Sequence, residues 1–113
     1  MGKSILVVST RCTDPDREAE FNRWYDEIHL PALLSSKHIV SAQRYKLAGQ
    51  PSASEPEATY LAIYEIDTDD VPAAMKALAE SRATWSEEAK SIDTMQVYSA
   101  RTYVAIGAHQ TST

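Results

Sequence analysis

The strand-like segments of this chain are apolar at consecutive positions, whereas a strand with one wet face alternates apolar and polar residues. The segment over 4–10 contains an Ile-Leu-Val-Val run, and the segment over 59–66 reads Thr-Tyr-Leu-Ala-Ile-Tyr-Glu-Ile. Such β-branched and aromatic residues favour strands. Both faces of the predicted sheet must therefore be covered, and this requirement limits the folds open to the chain.

Helical spacing and capping residues predict two helices. The first begins at Asp14, a preferred N-cap residue, with Pro15 at its first position. Its apolar residues recur at helical spacing and are Phe21, Trp24, Tyr25 and Ile28. Pro31 is expected to interrupt this helix. The second helix follows the acidic residues over 67–70, with Pro72 in its first turn.

The strands are predicted over 4–10, 39–47, 59–66 and 95–106, with a loop over 48–56. The order β-α-β-β-α-β is that of the ferredoxin-like fold, an α+β class in which two helices cover one face of a four-stranded antiparallel sheet. A length of 113 residues suits one domain. We assign the whole of 1–113 to it, with a core over 4–106 and a polar tail over 107–113.

Two helices leave the second apolar face of this sheet uncovered, which is unusual for a soluble monomer. A second copy of the chain, packed sheet against sheet, would bury that face. We therefore expect a homodimer.

Charge and composition exclude several functions. The chain has 11 basic and 16 acidic residues and a net charge of −5, and without a basic cluster nucleic-acid binding is not expected. No apolar stretch is long enough for a membrane span. The single cysteine, Cys12, excludes an internal disulfide and favours the cytoplasm. The chain has only three glycines and no metal-ligand motif, so we expect neither a nucleotide cofactor nor a metal.

The sequence over 20–31, Glu-Phe-Asn-Arg-Trp-Tyr-Asp-Glu-Ile-His-Leu-Pro, resembles the first-helix signature of the dimeric α/β-barrel superfamily in its EthD-like branch. The strands over 40–45 and 60–65 are similar to that branch too, and the resemblance covers roughly 4–106. One departure is the turn before the second strand, where Ser36-Lys37-His38 replaces the Pro-Gly turn that is common in the branch.

This resemblance implies a homodimer of ferredoxin-like subunits, each with a small-molecule pocket between sheet and helices. Members of the superfamily include cofactor-free monooxygenases of aromatic polyketides, polyketide cyclases, lactone isomerases and a hydroxynitrile lyase. The fold alone does not select among these reactions.

His29 is the first candidate catalytic residue, because imidazole transfers protons near neutral pH. Helical spacing places it on the flank of the apolar stripe, where Asp26 is expected to orient its ring. The last turn of the helix is expected to favour the charged imidazolium. The alternative interpretation is a half-exposed histidine that caps the helix.

Tyr25 and Arg44 are the other catalytic candidates. The buried hydroxyl of Tyr25 needs a partner, which a pocket or a backbone carbonyl would supply. Arg44 is predicted to stabilise an oxyanion, and the alternative is an arginine that faces solvent or bridges the dimer. Strand alternation places Arg44 on the same face as Ala42.

Aromatic residues are the candidates for substrate binding, through stacking and phenolic hydrogen bonds. They are Trp24, Tyr60, Tyr64, Trp85 and Tyr98. Each has an alternative interpretation. Trp24 would pack in the core, and the tyrosines would form a dimer interface. Trp85 would hold its loop against the sheet. Alternation predicts that Tyr98 shares a sheet face with Ala100.

The function that we expect is acid/base chemistry on an aromatic or polyketide-like substrate without a cofactor, by a cyclase, isomerase, dehydratase or lyase. One alternative is a cofactor-free monooxygenase of a phenolic substrate. Another is a protein that binds a small ligand without catalysis.

Overall fold

The computed structural model describes residues 3–49 and 58–112. Its strands are β1 (Ser4–Cys12), β2 (Ile39–Lys46), β3 (Tyr60–Ile66) and β4 (Met95–Val104). Its helices are α1 (Glu18–Trp24), α2 (Leu30–Leu34), α3 (Val71–Arg82) and α4 (Glu87–Lys90), with a 3₁₀ turn at Pro15–Arg17 and a π-helical turn at Tyr25–His29. The loop predicted over 48–56 lies largely outside the described residues.

The four strands form one antiparallel sheet in the order β2-β3-β1-β4. This order and the helices between the strands confirm the predicted ferredoxin-like α+β fold. Within the described residues, no helix is both long and apolar enough to cross a lipid bilayer.

Short polar side chains cap the helix starts, at the predicted Asp14 and at Asp70 within the acidic segment predicted to precede the second helix. The Asp14 carboxylate accepts a hydrogen bond from the Asp16 backbone N–H at 3.0 Å, and Asp70 accepts one from the Ala73 N–H at 3.1 Å. Each bond satisfies a backbone donor that the first helical turn leaves free.

The prediction that Pro31 interrupts the first helix is wrong. The Leu30 N–H donates to the carbonyl of Tyr25, five residues earlier, and the helix continues as α2 through Pro31. A proline ring in a regular α-helix clashes with the carbonyl four residues before it. The wider π-helical turn relieves this clash, so a proline and a continuous helix coexist here.

The two faces of the sheet have different surroundings. One face packs under the helices, and its side chains join the core; they include Leu6, Ala62, Tyr64 and Ile66. The other face, which we call the open face, is not covered by any described helix. Its exposed apolar side chains include Tyr45, Leu61 and Tyr103, which are 51%, 37% and 49% accessible.

The prediction that Tyr98 shares a sheet face with Ala100 is wrong. Ser9 pairs with Ser99 and Thr10 pairs with Val97, so Tyr98 is an extra residue in β4, a β-bulge. The bulge breaks the alternation, and Tyr98 lies beside Ser99 on the open face.

The turn before β2 contains a residue in the left-handed region. His38 has φ +79°, a conformation that strains any residue with a Cβ. Its imidazole Nδ1 lies 2.8 Å from the Asp67 carboxylate, and its carbonyl accepts from the Asp67 N–H at 3.0 Å. His38 thus takes the left-handed position that a Pro-Gly turn would give to glycine.

We predict that His38→Gly is about 1 kcal/mol more stable than His38→Ala. Both variants lose the contact between the imidazole and the Asp67 carboxylate, and only alanine keeps the strain of the left-handed backbone. Urea unfolding at one protein concentration measures the difference. Equal stability of the two variants, or greater stability of His38→Ala, would contradict the strain at this turn.

Candidate active site

A cavity of about 250 Å³ lies between the sheet and the helices. Its walls are mainly apolar, and the aliphatic side chains among them are Leu6, Val8, Leu33, Leu78, Met95, Val97 and Ala100. Four of the predicted site residues line it: Tyr25, His29, Tyr64 and Trp85. A larger depression of about 510 Å³ lies on the open face, but no histidine lines it.

His29 is buried, with 7% of its surface accessible, and the helix continues to Leu34, so the alternative interpretation of a half-exposed histidine that caps the helix is wrong. It is the last residue of the π-helical turn that begins at Tyr25. A π turn holds more residues than an α turn. The residues at its end are therefore rotated relative to a regular helix, which turns His29 from the flank of the apolar stripe to the buried side.

A backbone carbonyl holds the His29 ring. Its Nδ1 lies 2.7 Å from the carbonyl oxygen of Ala89 in α4. A carbonyl can only accept, so Nδ1 carries the proton and donates it. In the neutral ring Nε2 is then the unprotonated nitrogen, and no described residue forms a hydrogen bond with it.

Aromatic rings surround the imidazole on three sides. Trp24 stacks on it with 4.7 Å between ring centroids, while Tyr25 and Trp85 meet it edge-on at 5.1 and 6.0 Å. Burial among these rings lowers the pKa of His29 below its usual value, since a charged ring loses solvation. The hydrogen bond to the Ala89 carbonyl acts to raise this pKa and nearby Arg82 acts to lower it, and burial is the largest effect. The expected preference for the imidazolium is therefore wrong: His29 is neutral at neutral pH.

Two tyrosines are buried beside this histidine. Burial raises the pKa of both Tyr25 and Tyr64, most strongly that of Tyr64. The Tyr64 hydroxyl is buried and forms no hydrogen bond of good geometry with any described residue, although it lies close to Tyr25. Tyr64 is thus a protonated phenol whose hydroxyl lies against Tyr25.

Asp26 and Arg44 do not line the cavity, so two predicted roles need correction. Asp26 lies on the exposed side of the helix and accepts from Arg44 at 3.0 Å; the Ala89 carbonyl, not Asp26, orients His29. The Arg44 guanidinium lies 4.3 Å from the centre of the Tyr25 ring and donates to Asn22 at 2.8 Å. Arg44 therefore packs against Tyr25 and does not line the cavity, so the structure does not bring its guanidinium to the place where the predicted oxyanion would form.

Three of the predicted binding residues also lie outside the cavity lining. The Tyr60 hydroxyl donates to the Glu18 carboxylate at 2.9 Å and accepts from Asn22 at 3.1 Å. The Trp24 indole N–H donates to the Glu88 carbonyl, so Trp24 supports His29 from the core. Tyr98 is on the open face, as described above.

Two features of the site could not be identified from the sequence. The Ala89 carbonyl is a backbone group, and no sequence motif marks it. Arg82 and Lys90, which also line the cavity, are solitary basic residues near the ends of α3 and α4. Only the spacing of Arg82 three residues before Trp85 associates it with the site.

Within the described part of the chain, no group of three or more His, Cys, Asp or Glu side chains is placed to hold a metal ion.

Comparisons with known proteins identify the fold. HapK from Hahella chejuensis superposes with a TM-score of 0.60 at 13% identity, over 97% of this chain and 99% of that one. An ethyl tert-butyl ether D (EthD) family protein from Bacillus halodurans gives 0.53 at 12% identity, over 96% and 100%. The chain has the EthD-like fold.

A candidate monooxygenase from Shewanella loihica also has this EthD-like fold, with a TM-score of 0.58 at 11% identity over 96% of this chain and 99% of that one. No protein-family model and no curated protein sequence matches the chain. These identities are too low to transfer a reaction, so the chemistry must be argued from the site.

We predict that His29 makes stability depend on pH. Its pKa is lowered in the folded state, so below pH about 6.5 the unfolded chain binds a proton that the folded chain does not. The free energy of unfolding therefore falls as pH decreases from about 6.5 toward the lowered pKa, by at most about 1.4 kcal/mol per pH unit from this group. Urea unfolding from about pH 8 to 5 measures it.

The matched variants are His29→Asn, whose amide can still donate to the Ala89 carbonyl, and His38→Asn at the exposed turn. The fall in the free energy of unfolding that His29 causes at low pH should be absent from His29→Asn and present in His38→Asn. If His29→Asn shows the same pH dependence as the unmodified chain, His29 is not a buried neutral group.

Proposed function

We propose that this protein is an enzyme that transfers a proton to or from carbon in a small aromatic or polyketide-like substrate. The observation that carries the proposal is the neutral His29 at the cavity wall, with Nδ1 donating to Ala89 and Nε2 not occupied by a described residue. A base that is already deprotonated at neutral pH and fixed in one tautomer suits general base catalysis.

The two residues best placed for the chemistry are His29 and Tyr64. In the proposed reaction Nε2 of His29 takes a proton from a carbon next to a carbonyl group. The negative charge moves to the carbonyl oxygen, where the Tyr64 hydroxyl donates a hydrogen bond, because its raised pKa keeps it protonated. His29 then returns the proton at another carbon, or to a leaving oxygen, which gives isomerisation, cyclisation, dehydration or lyase chemistry.

The walls of the cavity favour a flat, mainly apolar substrate. Aliphatic side chains from β1, β4, α2 and α3 line it together with Trp85, and aromatic rings give an edge-on or stacked contact for another ring. The small volume, about 250 Å³, favours one or two fused rings rather than a long chain.

A second candidate function uses the same base. Deprotonation of a phenol by His29 gives an electron-rich phenolate that reacts with dioxygen, as a cofactor-free monooxygenase requires. The fold shared with the candidate monooxygenase from Shewanella loihica favours testing this reaction. Dioxygen consumption distinguishes it, because proton transfer at carbon consumes none.

We predict that the protein accelerates solvent deuterium exchange at the acidic carbon of aryl ketones and aromatic 1,3-diketones, measured by proton NMR in D₂O. His29→Asn should lower the rate by about 10²–10⁴-fold, the usual contribution of a general base. The rate should persist at pH about 6.5 and fall at lower pH, as His29 becomes protonated. His38→Asn is the matched control and should keep the full rate.

An unchanged exchange rate in His29→Asn would exclude His29 as the base. Compounds that bind without exchange and without dioxygen uptake would identify a ligand-binding protein rather than an enzyme. Dioxygen uptake with phenols that requires His29 would instead support the monooxygenase.

We also propose that the protein acts as a homodimer joined through the open face. Leu61 lies on the third strand of this face and is 37% accessible, with Tyr45 and Tyr103 about half accessible. Tyr45 pairs with Leu61 across β2 and β3, and Tyr103 lies on β4 at the other edge of the same face. Exposure of these large side chains is costly in water, and a second copy of the same surface would cover them.

Leu61→Glu is expected to convert this dimer to a monomer, because the interface would then bury an unpaired carboxylate of each copy. Light scattering after size exclusion should give twice the 12.5 kDa chain mass for the unmodified protein and one chain mass for the variant. Leu34→Glu is the matched control, since Leu34 is 42% accessible but lies in the helical layer. A monomeric unmodified protein, or a dimer that Leu61→Glu leaves intact, would contradict the interface.

A further inference from the structure

The charged residues that line the cavity are all basic. Arg82, at the end of α3, and Lys90, at the end of α4, both line it. Among the described residues that line it there is no aspartate or glutamate. The chain as a whole has 16 acidic and 11 basic residues, so the cavity differs in sign from the rest of the molecule.

Of these two basic residues, Arg82 is the one that is available to bind an anion. Lys90 pairs with Glu87 at 3.0 Å, whereas no ion pair to Arg82 is found within 3–49 and 58–112. The Arg82 guanidinium lies 5.8 Å from the centre of the Trp85 ring, and Trp85 in turn meets His29 edge-on. Arg82 is exposed to solvent, so it stands at the mouth of the cavity, on the same side as the proposed base.

We propose that the substrate carries a carboxylate, which Arg82 binds at the mouth of the cavity while the apolar part of the molecule lies inside. This inference rests on the function proposed above and names the class of its substrate. Guanidinium is planar and presents parallel N–H donors that match the two oxygens of a carboxylate. The aromatic contact with Trp85 limits the positions that the guanidinium takes.

Such an anchor has a consequence for the reaction. With the carboxylate fixed at Arg82 and the ring against the aliphatic wall, only part of the substrate can approach Nε2 of His29. Arg82 is therefore a specificity-determining residue that selects the carbon from which a proton is removed. Substrates of the same shape without the negative charge should bind less tightly and in more than one orientation.

The experiment compares 2-naphthoate with 2-naphthamide, which have similar shape and differ in charge. The two tryptophans of the chain, Trp24 and Trp85, both contact His29, so tryptophan fluorescence reports binding, and calorimetry confirms it. We expect naphthoate to bind about tenfold more tightly than naphthamide, as a charge-assisted hydrogen bond provides. High salt should reduce the difference.

Variants of Arg82 test whether this residue causes the preference for naphthoate over naphthamide. Arg82→Gln should weaken naphthoate about tenfold and leave naphthamide within about twofold, while Arg82→Lys, which keeps the charge, should retain most of the preference. Lys76→Gln is the matched control, because Lys76 is an exposed lysine of the same helix that does not line the cavity. A melting curve for each variant confirms folding.

The proposal is overturned if naphthoate binds no more tightly than naphthamide, if neither binds, or if the preference survives in Arg82→Gln. A role of Arg82 that is limited to packing on Trp85 would change both affinities equally and would also overturn it. The catalytic proposal can fail independently of this one. If the carboxylate preference depends on Arg82 but the exchange rate does not depend on His29, the anion site is supported and the proton transfer is contradicted.

Discussion

The hydrogen bond from the His29 ring to the Ala89 carbonyl connects the two helical regions at the place where the chemistry is proposed. It brings a residue of the π-helical turn together with a residue of α4. The bond fixes the tautomer, and burial among Trp24, Tyr25 and Trp85 keeps the ring neutral. A histidine in this state is a base with one available nitrogen, and the other features of the cavity derive their proposed roles from it.

The strands, the helix caps and the fold class were predictable because they depend on local chemistry. Asp14 is an N-cap from the sequence alone, the acidic segment over 67–70 marks the start of the second helix, and consecutive apolar residues mark the buried strands. The burial of His29 was not predictable in this way, because α-helical spacing does not hold through the π-helical turn over Tyr25–His29. The face of Tyr98 was missed for a similar reason, since one bulge residue in β4 reverses the alternation.

The site required tertiary information that spacing does not contain. Asp26 is three residues from His29 in the sequence, yet it faces Arg44, whereas the group that holds the imidazole is 60 residues away. Tyr25, His29, Tyr64 and Trp85 were predicted as site residues and are brought to one cavity. The fold shared with EthD-like proteins does not determine a reaction, so these contacts, rather than the resemblance, support the proposed proton transfer.

The proposed chemistry depends on the protonation state of the His29 ring, and long-range ¹H–¹⁵N correlation NMR of the folded protein measures this state directly. At neutral pH we expect a neutral ring with the proton on Nδ1 and an unprotonated Nε2, and the His29→Asn variant assigns the signal. The same pattern should persist below pH about 6.5, where an ordinary histidine becomes charged. An imidazolium at neutral pH, or a neutral ring with its proton on Nε2, would contradict the account.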